Sequence, residues 1–271
     1  MNNSATNLHF HKLGHGPNIL LTFHGIGQDG STCFKPFFDK LGNYYTIYAF
    51  DLFFHGQSNP AENDPSFSEP ELITKKLWKE IIQGFLVDNN ISRFDIAGFS
   101  MGGRFVLATL EDFSDRIDHA FLIAPDGISK HPLYSFATSF APARRIFRRC
   151  MKYPKTFFRT VSLLTKAGIV NPSLHRFTQS VLNTPEKRQT IFNSWLAFRS
   201  LHFDIPKLYA KLRAEKIDLF LFIGKYDKLL PPAAVKKLSD LMPEKNYLIL
   251  QSGHGALVEK VATFLAEKFN A

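Results

Sequence analysis

The chain of 271 residues has only two cysteines, Cys33 and Cys150, and their spacing indicates neither a metal site nor a disulfide framework. No apolar run approaches the roughly 20 residues that a membrane-spanning helix needs. The first six residues lack the basic and apolar regions of a secretory signal. These absences exclude the membrane-spanning and disulfide-rich secreted classes, and we expect a cytoplasmic protein.

Linkers, internal repeats and low-complexity tracts are also absent, and a chain of this length can bury a sizeable core. Strand-like and helix-like segments alternate along much of the sequence. We predict strands at 8–13, 19–23, 45–50, 93–97, 120–124, 217–224 and 246–250, and helices at 32–41, 69–88 and 103–110. This alternation is typical of an α/β fold with a mostly parallel, doubly wound sheet.

A Gly-x-Ser-x-Gly motif at residues 98–102 lies between a predicted strand and a predicted helix. The turn is so sharp that side chains at positions 98 and 102 would clash, and glycine at both positions avoids this. Such a turn raises the Ser100 hydroxyl at the edge of the sheet. It also directs the Met101 N–H toward the oxyanion that forms when Ser100 attacks a carbonyl carbon.

Two further polar side chains follow predicted strands. Asp227 comes after the strand at 217–224, and His254 comes after the strand at 246–250. Active sites of open parallel sheets lie at the carboxyl ends of the strands. Ser100, Asp227 and His254, in this order, therefore form a candidate catalytic triad. Asp126, which follows the strand at 120–124, is the alternative acid.

These residues resemble the α/β-hydrolase fold family over nearly the whole chain. The resemblance rests on Phe-His-Gly-Ile-Gly at 23–27, Asp51 with His-Gly-Gln-Ser at 55–58, the motif at 98–102, Gly-Lys-Tyr-Asp at 224–227 and Gly-His at 253–254. The family often has Pro-Gly where this chain has Phe53 and Phe54. The resemblance implies that the Ile26 N–H is the second oxyanion donor, beside Met101.

No strong strand is predicted between residues 127 and 206, where the family resemblance implies a helical cap. The implied division is a hydrolase core at 1–127 and 207–271, with a cap at 128–206 inserted into it. The resemblance also implies a serine hydrolase that cleaves a carboxylic ester or thioester through an acyl-enzyme. No metal and no organic cofactor is needed for that chemistry.

Two other functions within the same fold stay open. Residues 100–104, Ser-Met-Gly-Gly-Arg, resemble the menaquinone-pathway synthase, a carbon–carbon lyase whose arginine helps to hold a carboxylated substrate. Arg104 is therefore a candidate substrate contact, and His24 is a second one. The loop at 24–28 lacks the Phe-Leu-Gly pattern of that enzyme. The other alternative is a ligand-binding protein without catalysis.

Residues 25–30, Gly-Ile-Gly-Gln-Asp-Gly, also match the dinucleotide-binding pattern Gly-x-Gly-x-x-Gly, with Asp51 as the acid about twenty residues on. In that pattern the helix begins within the glycines. Here Ser31 and Thr32 are typical of the cap of a later helix. We interpret Asp51 instead as a structural acid that accepts backbone N–H bonds below the turn at His55 and Gly56.

Residues 128–206 have 13 basic residues and two acidic ones, a net charge of +11, together with nine phenylalanines. The chain carries +9 in total, so the remainder carries −2. Three interpretations stay open: a solvated basic surface, attraction of an anionic acyl substrate, and peripheral contact with an anionic membrane. Nucleic acid is not an expected partner, because no known binding module is visible.

Overall fold

The computed structural model describes residues 8–58, 67–129, 132–168, 178, 179 and 181–269. The described residues form two compact units. The first lies within 1–58, 74–129 and 201–271, and the second lies within 59–73 and 130–200. No helix in the described part of the chain is both long enough and apolar enough to cross a membrane.

A seven-stranded sheet forms the centre of the first unit. Its strands are β1 (Phe10–Leu13), β2 (Asn18–Phe23), β3 (Tyr45–Phe50), β4 (Phe94–Phe99), β5 (Ile117–Ile123), β6 (Asp218–Gly224) and β7 (Tyr247–Leu250). Their order in the sheet is β1-β3-β2-β4-β5-β6-β7. β1 is antiparallel to β3, and the other pairs are parallel. The predicted mostly parallel sheet is confirmed.

The helices of the first unit are α1 (Gly30–Cys33), α2 (Lys35–Leu41), α3 (Lys75–Asp88), α4 (Gly102–Phe113), α9 (Ile205–Ala214), α10 (Lys236–Ser239) and α11 (Leu257–Phe269). The second unit contains α5 (Pro132–Ser139), α6 (Ala141–Lys152), α7 (Pro154–Lys166) and α8 (Pro185–Ala197). The described residues of the second unit contain no strand.

Large aromatic side chains cover both faces of the sheet. Phe23 contacts Phe105 of α4 and Trp78 of α3, and Phe121 contacts Phe269 of α11. The register aligns Phe23 with Gly98 and Gly98 with Leu122, so Phe121 points to the opposite face from Phe23. Helices therefore bury apolar surface on each face, which is the doubly wound arrangement.

Two predicted helices differ from the structure. The helix predicted at 32–41 is divided at Phe34, because Pro36 has no N–H to continue the first helix. Its first part begins at Gly30 with Asp29 as the cap, rather than at Ser31 or Thr32. Asp29 Oδ1 accepts from Thr32 N at 2.8 Å.

The helix predicted at 69–88 begins only at Lys75, where the Thr74 hydroxyl accepts from Leu77 N. Residues 67–74 are not helical. Ile73 N donates instead to Ala197 O at 3.0 Å, and Ser200 Oγ donates to Ile73 O at 2.8 Å. These long-range bonds within the second unit use the Ile73 backbone groups that a helix would need.

Aromatic packing also forms the core of the second unit. The Phe147 ring of α6 lies 5.3 Å from Trp195 and 5.5 Å from Phe192, both on α8. Arg188 Nε donates to Met151 O at 2.9 Å, which ties the start of α8 to the end of α6. This unit therefore has its own apolar centre.

Candidate active site

Ser100 lies in the sharp turn between β4 and α4. Its φ of 52° is in the left-handed region, which non-glycine residues rarely adopt. Three backbone bonds hold it there: Ser100 N donates to Ile123 O at 2.9 Å, and Ser100 O accepts from Gly103 N at 2.9 Å and Asp126 N at 2.8 Å. Strain of this kind persists only where the surroundings enforce it. The serine hydroxyl is thereby fixed at the carboxyl edge of the sheet.

The glycines of the motif are required by space. A Cβ atom on Gly98 would lie 2.7 Å from Gly102 O, and a Cβ atom on Gly102 would lie 2.0 Å from Phe23 O. Neither position can hold a side chain without displacing backbone. The clash expected from the sequence at both positions is therefore confirmed.

Asp227 and His254 form the tightest polar contact near this turn. His254 Nδ1 donates to Asp227 Oδ2 at 2.6 Å, while Asp227 Oδ1 accepts from Leu229 N at 2.8 Å and Leu230 N at 2.9 Å. The Asp227 side chain is fully buried. Because the carboxylate can only accept, the proton of the neutral ring lies on Nδ1 and Nε2 is left as the basic atom.

The loops after β6 and β7 are joined by backbone bonds, which explains why Asp227 and His254 meet. Lys225 N donates to Leu250 O at 2.8 Å, and Tyr226 N donates to Ser252 O at 3.0 Å. The two side chains therefore extend from adjacent, cross-linked strand ends.

His254 also packs beside the serine turn. Its ring centroid lies 4.8 Å from that of Phe99, the residue before Ser100. In the described part of the chain no hydrogen bond joins the Ser100 hydroxyl to His254. Contacts of this kind are often long without substrate and shorten when substrate binds. The structure thus places the three predicted triad residues at one edge of the sheet and pairs two of them.

The two predicted oxyanion donors have N–H groups that are free of partners in the described part of the chain. Among the hydrogen bonds of the described residues, none is donated by Ile26 N or Met101 N. Gly27 N, next to Ile26, donates to His55 Nε2 at 3.0 Å. Gly25 O accepts from His24 Nδ1 at 2.7 Å. The loop is therefore held on both sides of Ile26, and the Ile26 N–H stays available.

His24 is placed as a support for this loop. It is fully buried, Nδ1 donates to Gly25 O, and Nε2 accepts from Leu52 N at 2.9 Å. Burial lowers the pKa of His24 to about 4. Both ring nitrogens are occupied by backbone, so this geometry favours a structural role over the predicted substrate contact.

His55 is a loop-supporting residue whose role the sequence analysis missed. Its Nδ1 donates to Phe53 O at 2.8 Å, its Nε2 accepts from Gly27 N, and its ring lies 5.0 Å from that of His24. Burial, together with repulsion by His24, lowers the pKa of His55 to about 3. The signals in the sequence were its place before Gly56, in a loop that follows a buried strand, and its part in the motif at 55–58.

Arg104, the other candidate substrate contact, is committed to Asp126. Arg104 Nε lies 2.7 Å from Asp126 Oδ2, Nη2 lies 3.2 Å from Oδ1, and Nη1 donates to Leu201 O at 3.4 Å. The Arg104 side chain is buried. Asp126, the alternative acid, therefore pairs with Arg104. Asp227 is the carboxylate that contacts His254.

Asp51 has the structural role predicted for it. Oδ1 accepts from Gly30 N at 2.8 Å, and Oδ2 accepts from Gln57 N at 2.8 Å. A Cβ atom on Gly56 would lie 2.2 Å from Oδ2, so the turn closes directly on the carboxylate. An acid used in this way is not free to bind a ribose, and the dinucleotide alternative loses its recognition residue.

Within the described ranges, one group of side chains has the composition of a metal site: His9, His11 and Asp51. His11 Nε2 lies 3.4 Å from Asp51 Oδ2, the oxygen that already accepts from Gln57 N. His9 precedes β1, His11 lies on it, and Asp51 directly follows β3.

Comparison with known families decides the classification. The model of the alpha/beta hydrolase fold matches residues 18–261. The chain belongs to the α/β-hydrolase fold family. The match includes Ser100, Asp227, His254 and the other candidate site residues, together with most of the sheet.

Solved structures of this family share the fold. A thermophilic esterase from Thermogutta terrifontis superposes with a TM-score of 0.66 at 16% identity, over 97% of this chain and 93% of that one. A hydrolase from Pseudomonas aeruginosa gives 0.65 at 16% identity over the whole of both chains. The enol-lactonase from Burkholderia xenovorans gives 0.61 at 18%, over 98% of this chain and 96% of its own. Identities this low establish the fold alone.

Uncharacterised proteins of Mycobacterium bovis and Mycobacterium tuberculosis are 32% identical over 121 residues. The match covers 45% of this chain and 33% of each relative. The chain therefore aligns with only a third of the length of these curated relatives.

The buried histidines predict a loss of stability in mild acid. Folded His24 and His55 stay neutral down to pH about 4 and about 3, whereas the unfolded chain binds their protons below pH 6.5. Above pH 6.5 these two histidines do not lower the free energy of unfolding. As the pH drops from 6.5 toward those values, both lower it progressively. From pH 6.5 to pH 4 each histidine accounts for about 3 kcal/mol of that fall. His119 acts oppositely, because Asp95 raises its pKa.

Urea unfolding of the wild-type protein and His55→Gln at several pH values measures this effect. The variant should lose less free energy of unfolding between pH 6.5 and pH 4 than the wild type does. Both proteins contain His119, so its contribution is the same in each and drops out of the comparison. His15→Gln, at an exposed position, should follow the wild type. Parallel pH curves for His55→Gln and the wild type would contradict the role given to His55.

The close packing at the turn predicts opposite effects of two glycine-to-alanine changes. Gly102→Ala places Cβ 2.0 Å from Phe23 O and should lower the free energy of unfolding by about 3 kcal/mol. Gly84→Ala, on the exposed side of α3 with nothing near its Cβ, should raise it by about 0.5–1 kcal/mol. Urea unfolding measures both. Equal stability of the two variants would contradict the packing argument.

Proposed function

We propose that this protein is a serine hydrolase that cleaves a carboxylic ester or thioester through an acyl-enzyme. The observation that carries the proposal is the 2.6 Å bond between buried Asp227 and His254, next to a serine held at a φ of 52°. A structural loop has no need for a strained serine and a paired histidine at the same strand ends. The family includes structures named as hydrolases and esterases, which agrees with this chemistry.

The proposed reaction begins when Ser100 Oγ attacks the acyl carbonyl carbon and its proton passes to His254 Nε2. Asp227 keeps the proton on Nδ1 and stabilises the resulting imidazolium. The N–H groups of Ile26 and Met101 stabilise the oxyanion, and one such donor is typically worth about 10²–10³ in rate. The imidazolium then protonates the leaving alcohol or thiol.

A water molecule completes the cycle. His254 takes a proton from the water, which attacks the acyl carbonyl, and the same two N–H groups stabilise the second oxyanion. Collapse of this intermediate returns the proton to Ser100 and releases the carboxylic acid.

The pairing of Arg104 with Asp126 favours hydrolysis over the lyase alternative. That alternative requires Arg104 to hold a substrate carboxylate, but its guanidinium already makes two bonds to Asp126 and one to Leu201 O. The bonded Asp227–His254 pair and the two free N–H groups likewise favour turnover over ligand binding alone.

A fluorophosphonate probe tests the nucleophile. Ser100 should be labelled, and Ser100→Ala should abolish labelling and the hydrolysis of p-nitrophenyl acyl esters, because the nucleophile is lost. Ser92→Ala, at an exposed position of the same unit, should behave as wild type. Mass spectrometry that places the adduct on another serine would overturn the assignment.

Paired asparagine variants test the acid. Asp227→Asn should lower kcat by about 10⁴, since the amide stabilises the wrong tautomer of His254. Asp126→Asn should retain kcat within about tenfold and lose stability instead, because Arg104 keeps its buried charge without a carboxylate. Kinetics and urea unfolding separate these effects. An active Asp227→Asn together with an inactive Asp126→Asn would show that the acid is Asp126.

A further inference from the structure

The charge of the second unit is concentrated in a part of the chain without acids. The sequence contains no Asp or Glu from residue 127 to residue 185. Helices α5, α6 and α7 lie within this stretch. Residues 132–168 carry eight cations: Arg144, Arg145, Arg148, Arg149, Lys152, Lys155, Arg159 and Lys166.

One side of α6 displays three of these cations to solvent. Arg145, Arg149 and Lys152 are exposed and are spaced at i, i+4 and i+7, so they share a helix face. The opposite face carries Ala143, Phe147 and Met151, which are buried. The helix therefore has one side in the core of its unit and a cationic side outside.

Helix α7 repeats this pattern. Lys155, Arg159, Leu163 and Lys166 are exposed, and their spacing of i, i+4, i+8 and i+11 places them on one narrow stripe. Three cations and one leucine thus follow a single line along the helix.

Seven of these eight cations have no carboxylate partner among the described residues. Within the described residues, only Arg144 of the eight forms an ion pair, with Glu69 at 3.0 Å. In the first unit, Lys75, Lys79 and Arg93 each contact a carboxylate, whereas exposed lysines such as Lys207 and Lys260 form no ion pair among the described residues. The exposed charge on α6 and α7 is therefore left for something outside the chain.

Apolar side chains lie among the cations. Five of the eleven large apolar side chains exposed in the described residues fall between residues 136 and 163: Phe136, Phe140, Ile146, Tyr153 and Leu163. Each is at least half exposed. The Tyr153 ring lies 5.8 Å from the Arg149 guanidinium and 5.9 Å from Lys152 Nζ. Charge and apolar surface are thus presented together.

We propose that the exposed sides of α6 and α7 form a docking surface for an anionic lipid membrane. Amphipathic helices with basic residues and interleaved apolar side chains lie in the plane of the membrane interface. There the anionic headgroups contact the basic side chains and the acyl chains contact the apolar ones. Four to eight clustered cations match the number typical of anionic-lipid binding.

The apolar residues distinguish this partner from other polyanions. A nucleic acid or a soluble anionic substrate would neutralise the cations and leave Ile146 and Leu163 in water. A membrane buries both kinds of side chain at once. The docking needs no chemistry at Ser100, so it stands independently of the proposed hydrolase activity.

Vesicle sedimentation tests the proposal with the full chain. The wild type should bind vesicles in which about a third of the phosphatidylcholine is replaced by phosphatidylglycerol, and should bind pure phosphatidylcholine at least about tenfold more weakly. Binding should weaken between about 0.01 M and about 0.15 M salt, because exposed charges are screened. Ser100→Ala should bind as wild type does, which separates docking from catalysis.

Two quadruple variants remove equal charge from different places. Replacement of Arg145, Arg149, Lys155 and Arg159 by Gln should abolish the preference for anionic vesicles. The matched variant replaces four exposed lysines of the first unit, Lys207, Lys237, Lys245 and Lys260, and should keep it. Unchanged thermal unfolding midpoints confirm that both variants fold. An equal loss of the preference for anionic vesicles in the two variants would show that net charge alone causes it, and would overturn the proposal.

A third variant, Ile146→Gln with Leu163→Gln, tests the apolar contribution at constant charge. It should lose at least about tenfold in vesicle affinity and still bind heparin as the wild type does. Full vesicle binding by this variant would show a general polyanion surface and overturn the lipid assignment.

Discussion

The close approach of β4 and α4 at Ser100 is the constraint on which the site depends. Glycine at 98 and 102 lets backbone and side chains pass within distances that no Cβ permits. The turn holds Ser100 at a positive φ and leaves the Met101 N–H without a partner among the described residues. One packing arrangement thereby sets the position of the nucleophile and of an oxyanion donor. The energy for this strain comes from the buried sheet and helices around it.

Buried polar side chains that take no part in the proposed reaction hold the loops around the site. His24 and His55 hold the loop of Ile26 through backbone bonds, and Asp51 holds the adjacent turns. Burial keeps both imidazoles neutral, and each ring then offers one donor and one acceptor to the backbone. The loop's shape and its sensitivity to acid therefore have the same origin.

Much of the fold could be predicted from the sequence, because parallel strands buried on both faces form apolar runs such as 217–224. All seven predicted strands appear, with ends that differ by a few residues. The predictions of one continuous helix at 32–41 and of a helix start at 69 were wrong, because Pro36 and the long-range bond of Ile73 overrode the local pattern. The order Ser100, Asp227, His254 pointed to one sheet edge because parallel strands place their carboxyl ends together.

The sequence by itself determined the strands, the glycine-bounded turn at Ser100 and the acid-free basic stretch, since each is a local property of spacing or composition. Tertiary structure alone decided which carboxylate pairs with which basic side chain. Asp126 and Asp227 both follow strands, and only the folded chain pairs the first with Arg104 and the second with His254. Burial in the folded chain also keeps His24 and His55 neutral, and both then hold the loop of Ile26 through backbone bonds. Pairing and burial depend on distances between residues far apart in the chain, and local pattern carries no information about those distances.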